Sequence, residues 1–348
     1  MNRLYGVACA AAGLFMASPS PAADSWQSVT TESQPLLPGN EIQFIKPGAT
    51  EGQLWLGTLT GAASIEKGVI RPLEQAKGLR VWDVTARPGG GFWIGHADGV
   101  RWVDGDRVVD TLKGVIGASI QPVGDQIWLL AQHASNDRSV MMRAVGDTWE
   151  EVPELKGYHV LDFTRDSKGV VWVVLDGNGV LEIDSAKGVQ DLKHHLPRMN
   201  VTSILTDPKG NTWCGLMHGG IVVRRNGEWK SMLDAERSAI LSMAEDAAGS
   251  IWAATSGNGV WVFDGKAWKG LLQEEGAVNL LKVTSDKRVW VSTQRSGGLR
   301  YWNGAEWTTS LDGPLPIRCM AELPNVALIA GGVLDGLHIL GNYSIKGE

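Results

Sequence analysis

The chain has 348 residues, of which 43% are hydrophobic and 20% are charged, and its formal net charge is −6 at pH 7. Its basic residues form no block or stripe, and this argues against nucleic acid and anionic membrane surfaces as partners, because both need a positive footprint.

Residues 1–23 are typical of a secretory signal peptide. A basic start at Arg3 is followed by a mostly apolar run over 4–17 and by small residues, with cleavage expected after Ala23. A transmembrane anchor is the alternative, but the run is shorter than the ~20 apolar residues of a spanning helix. We therefore expect residues 24–348 to form one mature domain, periplasmic or secreted, with no membrane span.

Tryptophans recur along the rest of the chain at intervals of 35 to 44 residues. They are Trp55, Trp93, Trp128, Trp172, Trp213, Trp252 and Trp290. Leu328 follows Trp290 by 38 residues and is interpreted as the same position of an eighth repeat that has lost its tryptophan. A fixed period of this length indicates a repeat architecture.

Each repeat is predicted to contain four short strands, A to D. Strand A ends in an Asp-x-x-Gly turn such as Asp166 to Gly169, in which the aspartate caps backbone N–H groups and the glycine has positive φ. Strand B carries the tryptophan, and an Asn-Gly or Asp-Gly hairpin leads into strand D. Strand D carries a second set of tryptophans: Trp149, Trp229, Trp268 and Trp307.

Repeats of about 40 residues with four strands each are propeller blades. We predict an all-β propeller of four-stranded antiparallel blades, eight in number. Seven blades are the alternative, because the third repeat is irregular and carries an insertion over 131–138.

The ring must close, because an open propeller leaves unpaired strand edges. The segment at Trp26 resembles the strand D that begins at Trp229, so we expect it to complete the last blade beside 337–340. Residues 343–345 compete for that place. Cys214 and Cys319 fall in different blades, too far apart for a disulfide.

Three repeats match a known pattern closely. Asp-x-x-Gly-x-x-Trp followed by a glycine-rich turn resembles the two-component-regulator propeller repeat, and looser matches cover nearly all of residues 40–340. The close matches begin at Asp166, Asp207 and Asp246. The resemblance implies the extracytoplasmic sensor of a histidine kinase, often one that recognises carbohydrate breakdown products. No kinase, transmembrane helix or immunoglobulin-like connecting domain follows the repeats here.

The chain also resembles, more faintly, the streptogramin lyase propellers, which use a histidine and a magnesium held by carboxylates. Those residues cannot be matched one by one in this sequence, so no role is carried over from them.

Residues that break the repeat are the candidates for a site. The B–C and D–A loops of a propeller share one face, and their Arg, His, Asn and Asp side chains suit a polar or anionic small ligand or a sugar. The ligand-binding candidates are Arg80, His96, Asp98, His133, Arg138, His159, Asn178, His218, Asn258 and Arg295. The alternative is that each is a solvated loop residue.

A second set of polar residues recurs inside strand A, which lines the central channel. The channel-lining candidates are Asp83, Asp162, Ser203, Ser242, Lys282 and Arg318. Polar groups in such a strand must be hydrogen-bonded or hydrated. They either bind a zwitterion or satisfy one another.

The sequence contains no catalytic motif, no metal-ligand set and no indication of a cofactor. Our first hypothesis is an exported, non-catalytic, sensor-like binding propeller whose ligand is a small polar molecule, a glycan or an envelope protein. The alternatives are a metal-dependent lyase or hydrolase with its site on the channel axis, and a scaffold in an envelope complex.

Overall fold

The computed structural model describes residues 25–123, 126–133, 135–136, 138–184, 188–191, 196–233, 238–323 and 326–346. The predicted signal peptide lies outside the described residues. Within those ranges, no helix has the length and apolar character needed to cross a membrane.

The described strands form eight four-stranded antiparallel sheets, which confirms the predicted eight-bladed propeller. In chain order they are β1 (Trp26–Val29), β2 (Ile42–Pro47), β3 (Gln53–Thr58), β4 (Ala62–Glu66), β5 (Val69–Pro72), β6 (Val81–Ala86), β7 (Phe92–His96), β8 (Gly99–Asp104), β9 (Arg107–Lys113), β10 (Val115–Val123), β11 (Gln126–His133), β12 (Ser139–Val145), β13 (Thr148–Glu151), β14 (Val160–Arg165), β15 (Val171–Leu175), β16 (Gly179–Asp184), β17 (Gly188–Asp191), β18 (Val201–Thr206), β19 (Thr212–Leu216), β20 (Ile221–Arg225), β21 (Glu228–Leu233), β22 (Ile240–Glu245), β23 (Ile251–Thr255), β24 (Val260–Phe263), β25 (Trp268–Leu271), β26 (Val278–Val283), β27 (Val289–Thr293), β28 (Gly297–Trp302), β29 (Trp307–Leu311), β30 (Ile317–Leu323), β31 (Ala327–Gly332) and β32 (Leu337–Gly341).

Blades 1 to 7 each take four consecutive strands, beginning with β2–β5 as blade 1 and ending with β26–β29 as blade 7. Single turns of 3-10 helix at Glu74–Ala76, Pro153–Leu155 and Gln273–Glu275 precede blades 2, 4 and 7. The first strands of consecutive blades contact one another, so strand A of each blade surrounds the centre of the ring.

Blade 8 is assembled from both ends of the described chain. Strands β30, β31 and β32 are followed in the same sheet by β1, with Trp26 opposite Leu340. The segment after β32 runs instead to the edge of blade 1, where the Tyr343 hydroxyl accepts a hydrogen bond from the Gly68 N–H at 2.7 Å. The Lys346 N–H donates to the Gly68 carbonyl, also at 2.7 Å.

Each strand-B tryptophan packs against the next blade. Trp213 of blade 5 lies in one buried cluster with Ile240 and Ile251 of blade 6. Trp290 of blade 7 packs on blade 8 and meets the Trp26 ring edge-on, with ring centroids 6.2 Å apart. Burying a ring of this size removes about 150–250 Å² from water and contributes about 4–6 kcal/mol before entropy is subtracted. The recurring tryptophans are therefore the contacts that join neighbouring blades.

The turn aspartates have the predicted capping role and in two blades an additional one. Asp246 Oδ1 accepts from the backbone N–H groups of Ala248 and Ser250, both at 2.9 Å, and its Oδ2 accepts from Trp252 Nε1 at 2.8 Å. Trp213 Nε1 bonds in the same way to Asp207 at 3.0 Å. The turn that ends strand A thus also fixes the orientation of the indole that joins two blades.

The eighth repeat corrects one sequence expectation. Strand β30 pairs with β31 so that Ala321 lies opposite Ile329, just as Lys282 lies opposite Trp290 in blade 7. Ile329 therefore occupies the tryptophan position and packs towards blade 1, whereas Leu328 packs towards blade 7. The prediction of Leu328 was wrong by one residue, because the interval between blades varies with loop length and a fixed interval cannot assign the position to a single residue.

We expect Asp246→Ala to destabilise the fold more than Asp166→Ala does. Asp166 accepts the same two backbone bonds, from Lys168 and Val170, but Trp172 Nε1 has no partner among the described residues. The extra loss in Asp246→Ala is the indole bond, worth about 1–2 kcal/mol because it leaves a buried donor unsatisfied. Urea unfolding of both variants measures the difference, and equal losses would contradict the role given to this bond.

Candidate functional site

The recurring polar position of strand A joins neighbouring blades. Asp83 Oδ2 accepts from the backbone N–H of Ile120 in blade 3 at 2.7 Å. Ser203 Oγ donates to the carbonyl of Ile240 in blade 6 at 3.1 Å. The bonds run from one inner strand to the next, and they support the interpretation that these polar groups satisfy the fold rather than a ligand.

Two of the six predicted channel residues do not occupy this position. Asp83, Asp162, Ser203 and Ser242 all lie directly after a bulge of strand A, but in blades 7 and 8 that place is taken by Leu280 and Cys319. The assignment of Lys282 was wrong because it allows for a deletion that this part of blade 7 does not contain, since Leu280 precedes Trp290 as Asp83 precedes Trp93. The assignment of Arg318 was wrong because it is counted from Leu328 and not from Ile329.

The two misassigned cations have other surroundings. Lys282 lies opposite the blade tryptophan, and Arg318 lies within the bulge and hydrogen-bonds Gln43 of blade 1. Cys319 is partly buried and Cys214 is fully buried, and both are free thiols.

Asp83 is paired with a cation, whereas Asp162 has no ion-pair partner among the described residues. Lys46, from the inner strand of blade 1, forms an ion pair with Asp83 and donates to Thr85 Oγ1 at 2.6 Å. Burial raises the pKa of Asp83, and the Lys46 ammonium opposes that rise. The two carboxylates are equivalent in position, so the comparison isolates the effect of the lysine.

Asp162 has no ion-pair partner among the described residues. Its Oδ1 accepts from the backbone N–H of Phe163 at 2.8 Å, and burial raises its pKa to about 7. In blade 3, Gln121 lies opposite Trp128 as Lys46 lies opposite Trp55 in blade 1. The position that would carry the counter-charge for Asp162 therefore holds a neutral amide.

We expect Asp162 to make the fold less stable as pH rises from about 4 to 7. Its folded pKa lies above its unfolded value, so the folded state binds more protons in that window and the free energy of unfolding falls with pH. One pKa unit corresponds to about 1.4 kcal/mol, so a rise from 3.8 to about 7 limits the Asp162 contribution to roughly 4 kcal/mol.

Urea unfolding at pH 5 and pH 8 tests this, with Asp162→Asn and Gln121→Lys as the two variants. Both should reduce the decline in stability, the first by removing the charge and the second by pairing it. If the stability of Asp162→Asn declined with pH as steeply as that of the unmodified protein, the raised pKa assigned to Asp162 would be contradicted.

The face predicted to bind a ligand carries a cleft at blade 2. One lobe, about 330 Å³ in volume, is lined by the loop 78–80 and by His96, Ala97 and Asp98. A second lobe of about 390 Å³ shares His96 to Asp98 and extends to Arg101, Asp110 and Lys113. Three predicted ligand residues, Arg80, His96 and Asp98, are thus brought together at one place.

His96 departs from the repeat at its own position. The residue that ends the strand-B pairing is threonine in blades 1, 6 and 7 and leucine in blades 4 and 5, whereas it is histidine in blades 2 and 3 and glycine in blade 8. In blade 6 the threonine closes its own loop, because Thr255 Oγ1 donates to the Gly259 carbonyl at 2.9 Å and accepts from the Asn258 N–H at 2.8 Å. His96 of blade 2 accepts one backbone N–H bond within its loop, from Asp98, but it does not donate to a loop carbonyl as Thr255 does.

The imidazole of His96 is 5% exposed and has one hydrogen bond. The backbone N–H of Asp98 donates to Nδ1 at 3.3 Å, so the ring proton is placed on Nε2, which is buried without a partner among the described residues. Burial and then the Arg101 guanidinium hold the pKa of His96 below its usual range. The ring is therefore neutral at pH 7, with a buried N–H donor that the protein does not satisfy.

The charges around His96 divide into a paired and an unpaired set. Arg101 Nε donates to Asp110 Oδ1 at 2.7 Å, and its Nη1 donates to the Gln75 carbonyl at 2.6 Å. Arg80, Asp98 and Lys113 are exposed, and none of them forms an ion pair within the described part of the chain. The cleft therefore has two available cations and one available carboxylate.

Blade 7 shows the same positions in a satisfied state. Arg300, the equivalent of Arg101, pairs with the buried carboxylate of Glu275 at 2.7 Å. Thr293, the equivalent of His96, donates to Glu275 Oε2 at 3.1 Å. The residue at this position has a hydrogen-bond partner for its donor in blade 7 but not in blade 2, so the unsatisfied donor of His96 does not follow from the repeat itself.

The remaining predicted ligand residues are spread around the ring. His159 Nδ1 and Asp176 Oδ2 are 3.0 Å apart, Asn178 donates to the Asp176 carbonyl at 2.9 Å, and this group belongs to blade 4. His133 (blade 3), Arg138 (blade 3), His218 (blade 5), Asn258 (blade 6) and Arg295 (blade 7) lie in or beside the B–C loops of their blades. Arg138 and Arg295 donate to the carbonyls of Gly157 and Glu274.

Sequence reasoning missed Arg101, Asp110 and Lys113. Arg101 interrupts the apolar strand β8 between Val100 and Trp102, and that interruption is a signal that could have been used. Among the described residues, no group of three or more His, Cys, Asp or Glu side chains could hold a metal ion.

No family model matches the chain, and no curated protein matches its sequence. Solved propellers do share its fold. The extracellular domain of a hybrid two-component system of B. thetaiotaomicron is similar over 92% of this chain and 42% of that domain, at 14% identity and a TM-score of 0.57. The chain thus spans less than half the length of that domain.

Two further propellers match over most of both chains. The Dos1 propeller has 12% identity and a TM-score of 0.62, over 93% of this chain and 95% of that one. Virginiamycin B lyase from Staphylococcus aureus has 11% identity and a TM-score of 0.56, over 91% and 99%. The propeller fold expected from both resemblances is confirmed, and at these identities the likeness extends to the fold alone.

Proposed function

We propose that this protein is an exported, non-catalytic binding propeller, sensor-like in its role, that takes a small polar ligand in the cleft at His96. The predicted signal peptide supports export. Propellers of this fold occur in the extracellular domains of two-component systems, which supports the sensor-like role.

One observation carries the placement of the site. The Nε2–H of His96 is buried and has no partner among the described residues, at a position that holds threonine or leucine in blades 1, 4, 5, 6 and 7. An unsatisfied buried donor costs about 1–3 kcal/mol, which a ligand acceptor would recover. Several tryptophan Nε1 atoms are also buried without a partner, but His96 is the unpartnered donor that lines the cleft.

The size and lining of the cleft fit the same proposal. Lobes of about 330 and 390 Å³ lie in the range that holds small organic molecules. Leu79, Ala97 and Leu112 supply apolar surface, and His96, Arg80 and Lys113 supply the few polar groups that orient a ligand.

We expect His96→Thr to weaken ligand binding while leaving the fold intact. Threonine is the residue that blades 1, 6 and 7 carry at this position, so it can keep the loop bond to the backbone but has no donor in place of Nε2–H. A thermal-shift screen of residues 24–348 against organic acids, sugars, amino acids and nucleotides identifies the probe, since a ligand that binds only the folded state raises the melting temperature.

Calorimetric titration with that probe then compares the variants. His96→Thr should weaken binding at least tenfold, and His218→Ala, an exposed histidine on the same face of blade 5, should leave it unchanged. Equal affinity in His96→Thr and the unmodified protein would refute the placement of the site.

A further inference from the structure

The groups that surround the His96 cleft define the chemistry of its ligand. We propose that the cleft binds a small organic monocarboxylate, with the carboxylate held between Arg80, Lys113 and the Nε2–H of His96. The proposal rests on the function proposed above and narrows it to one chemical class.

Among the side chains that line the cleft and form no ion pair, Arg80, Lys113 and His96 offer donors and Asp98 offers acceptors. Nδ1 of His96 is occupied by the Asp98 N–H, so only the Nε2–H donor remains for a ligand. Guanidinium and ammonium groups have donors and no acceptor. The ligand group that meets Arg80, Lys113 and His96 must therefore be an acceptor, and an anionic acceptor makes the stronger, charge-assisted bonds.

The local charge is opposite in sign to that of the whole protein. Arg80 and Lys113 together carry two positive charges and Asp98 carries one negative charge, whereas Arg101 and Asp110 neutralise each other. The lowered pKa of His96 keeps the ring from adding a further charge at pH 7. The cleft is thus a site of net charge +1 on a chain whose net charge is −6.

A net charge of +1 matches a monoanion. A phosphate monoester carries about −1.5 to −2 at pH 7 and would be repelled by Asp98 in the same cleft. A zwitterionic amino acid would need a carboxylate for its ammonium group. Of the two carboxylates that line the cleft, Asp110 is already paired with Arg101, which leaves Asp98 alone to bind the ammonium. The carboxylate is therefore favoured over both.

The rest of the ligand meets apolar surface. Leu79 and Ala97 line both lobes, and Leu112 lines the larger one. A short aliphatic or ring-shaped body attached to the carboxylate would bury its carbon atoms against these side chains.

Titration calorimetry tests the proposal with five probes: butyrate, benzoate, alanine, phenyl phosphate and glucose. We expect butyrate or benzoate to bind the unmodified protein, with affinity falling as sodium chloride is raised because exposed cations contribute. Arg80→Gln and Lys113→Gln should each weaken binding about five- to tenfold. Asp98→Asn should strengthen it about two- to fivefold, because it removes the repelling charge and keeps the backbone bond to His96.

The other outcomes separate this proposal from the one on which it rests. Binding of glucose that is lost in His96→Thr but unaffected by Arg80→Gln would overturn the carboxylate and leave the site in place. Alanine that binds more tightly than butyrate and benzoate, with an affinity that falls in Asp98→Asn, would also overturn the carboxylate and leave the site in place. Phenyl phosphate that binds more tightly than both would have the same meaning. Carboxylate binding that survives His96→Thr would refute the site itself. Melting curves of each variant confirm that it is folded.

Discussion

The tryptophan of strand B is the contact on which the ring depends. A single four-stranded blade has two open faces, and each blade covers one face with the indole of its neighbour, as Trp213 and Trp290 show. In blades 5 and 6 the turn aspartate bonds the indole nitrogen, so the same residue ends strand A and orients the contact between blades. Blade 7 obtains the same bond from the hydroxyl of Thr284 at 3.0 Å.

The polar residues of the inner strands add a second set of bonds around the channel. Asp83 and Ser203 each reach the backbone of the next inner strand, and Lys46 supplies charge where a carboxylate is buried. These groups are satisfied by the fold, which separates them from His96. The candidate site is recognised because its donor lacks the internal partner that the equivalent residue has in blades 6 and 7.

The architecture was predictable because it depends on residues that recur from blade to blade. The tryptophan period, the Asp-x-x-Gly turns and the likeness of the Trp26 segment to a strand D all depend on local chemistry. Register was less predictable: Leu328 was placed at a fixed interval and Arg318 was counted from it, so each lies one residue before the true position, and Lys282 was counted with a deletion that blade 7 does not contain. Simple counting fails here because the interval between the blade tryptophans varies from 35 to 44 residues with the lengths of the loops.

The site was predictable only in part. Arg80, His96 and Asp98 were among ten loop candidates, and nothing in the sequence distinguished them from His218 or Asn258. What distinguishes them is pairing: Arg101 is neutralised by Asp110, Nδ1 of His96 is occupied, and Nε2 is not. These are properties of three-dimensional neighbours, and Asp110 and Lys113 lie at the end of a strand whose sequence has no loop signal.

The most direct test of the account is nitrogen-15 NMR of the histidine side chains, of which the chain has seven. The His96 signals are assigned by their absence in His96→Thr and followed at pH 7 before and after addition of butyrate. The account predicts a neutral ring protonated at Nε2 in the free protein, with both ring nitrogens shifting on addition and the His218 signals unchanged. A charged ring, a proton on Nδ1, or His96 signals that no ligand moves would contradict it.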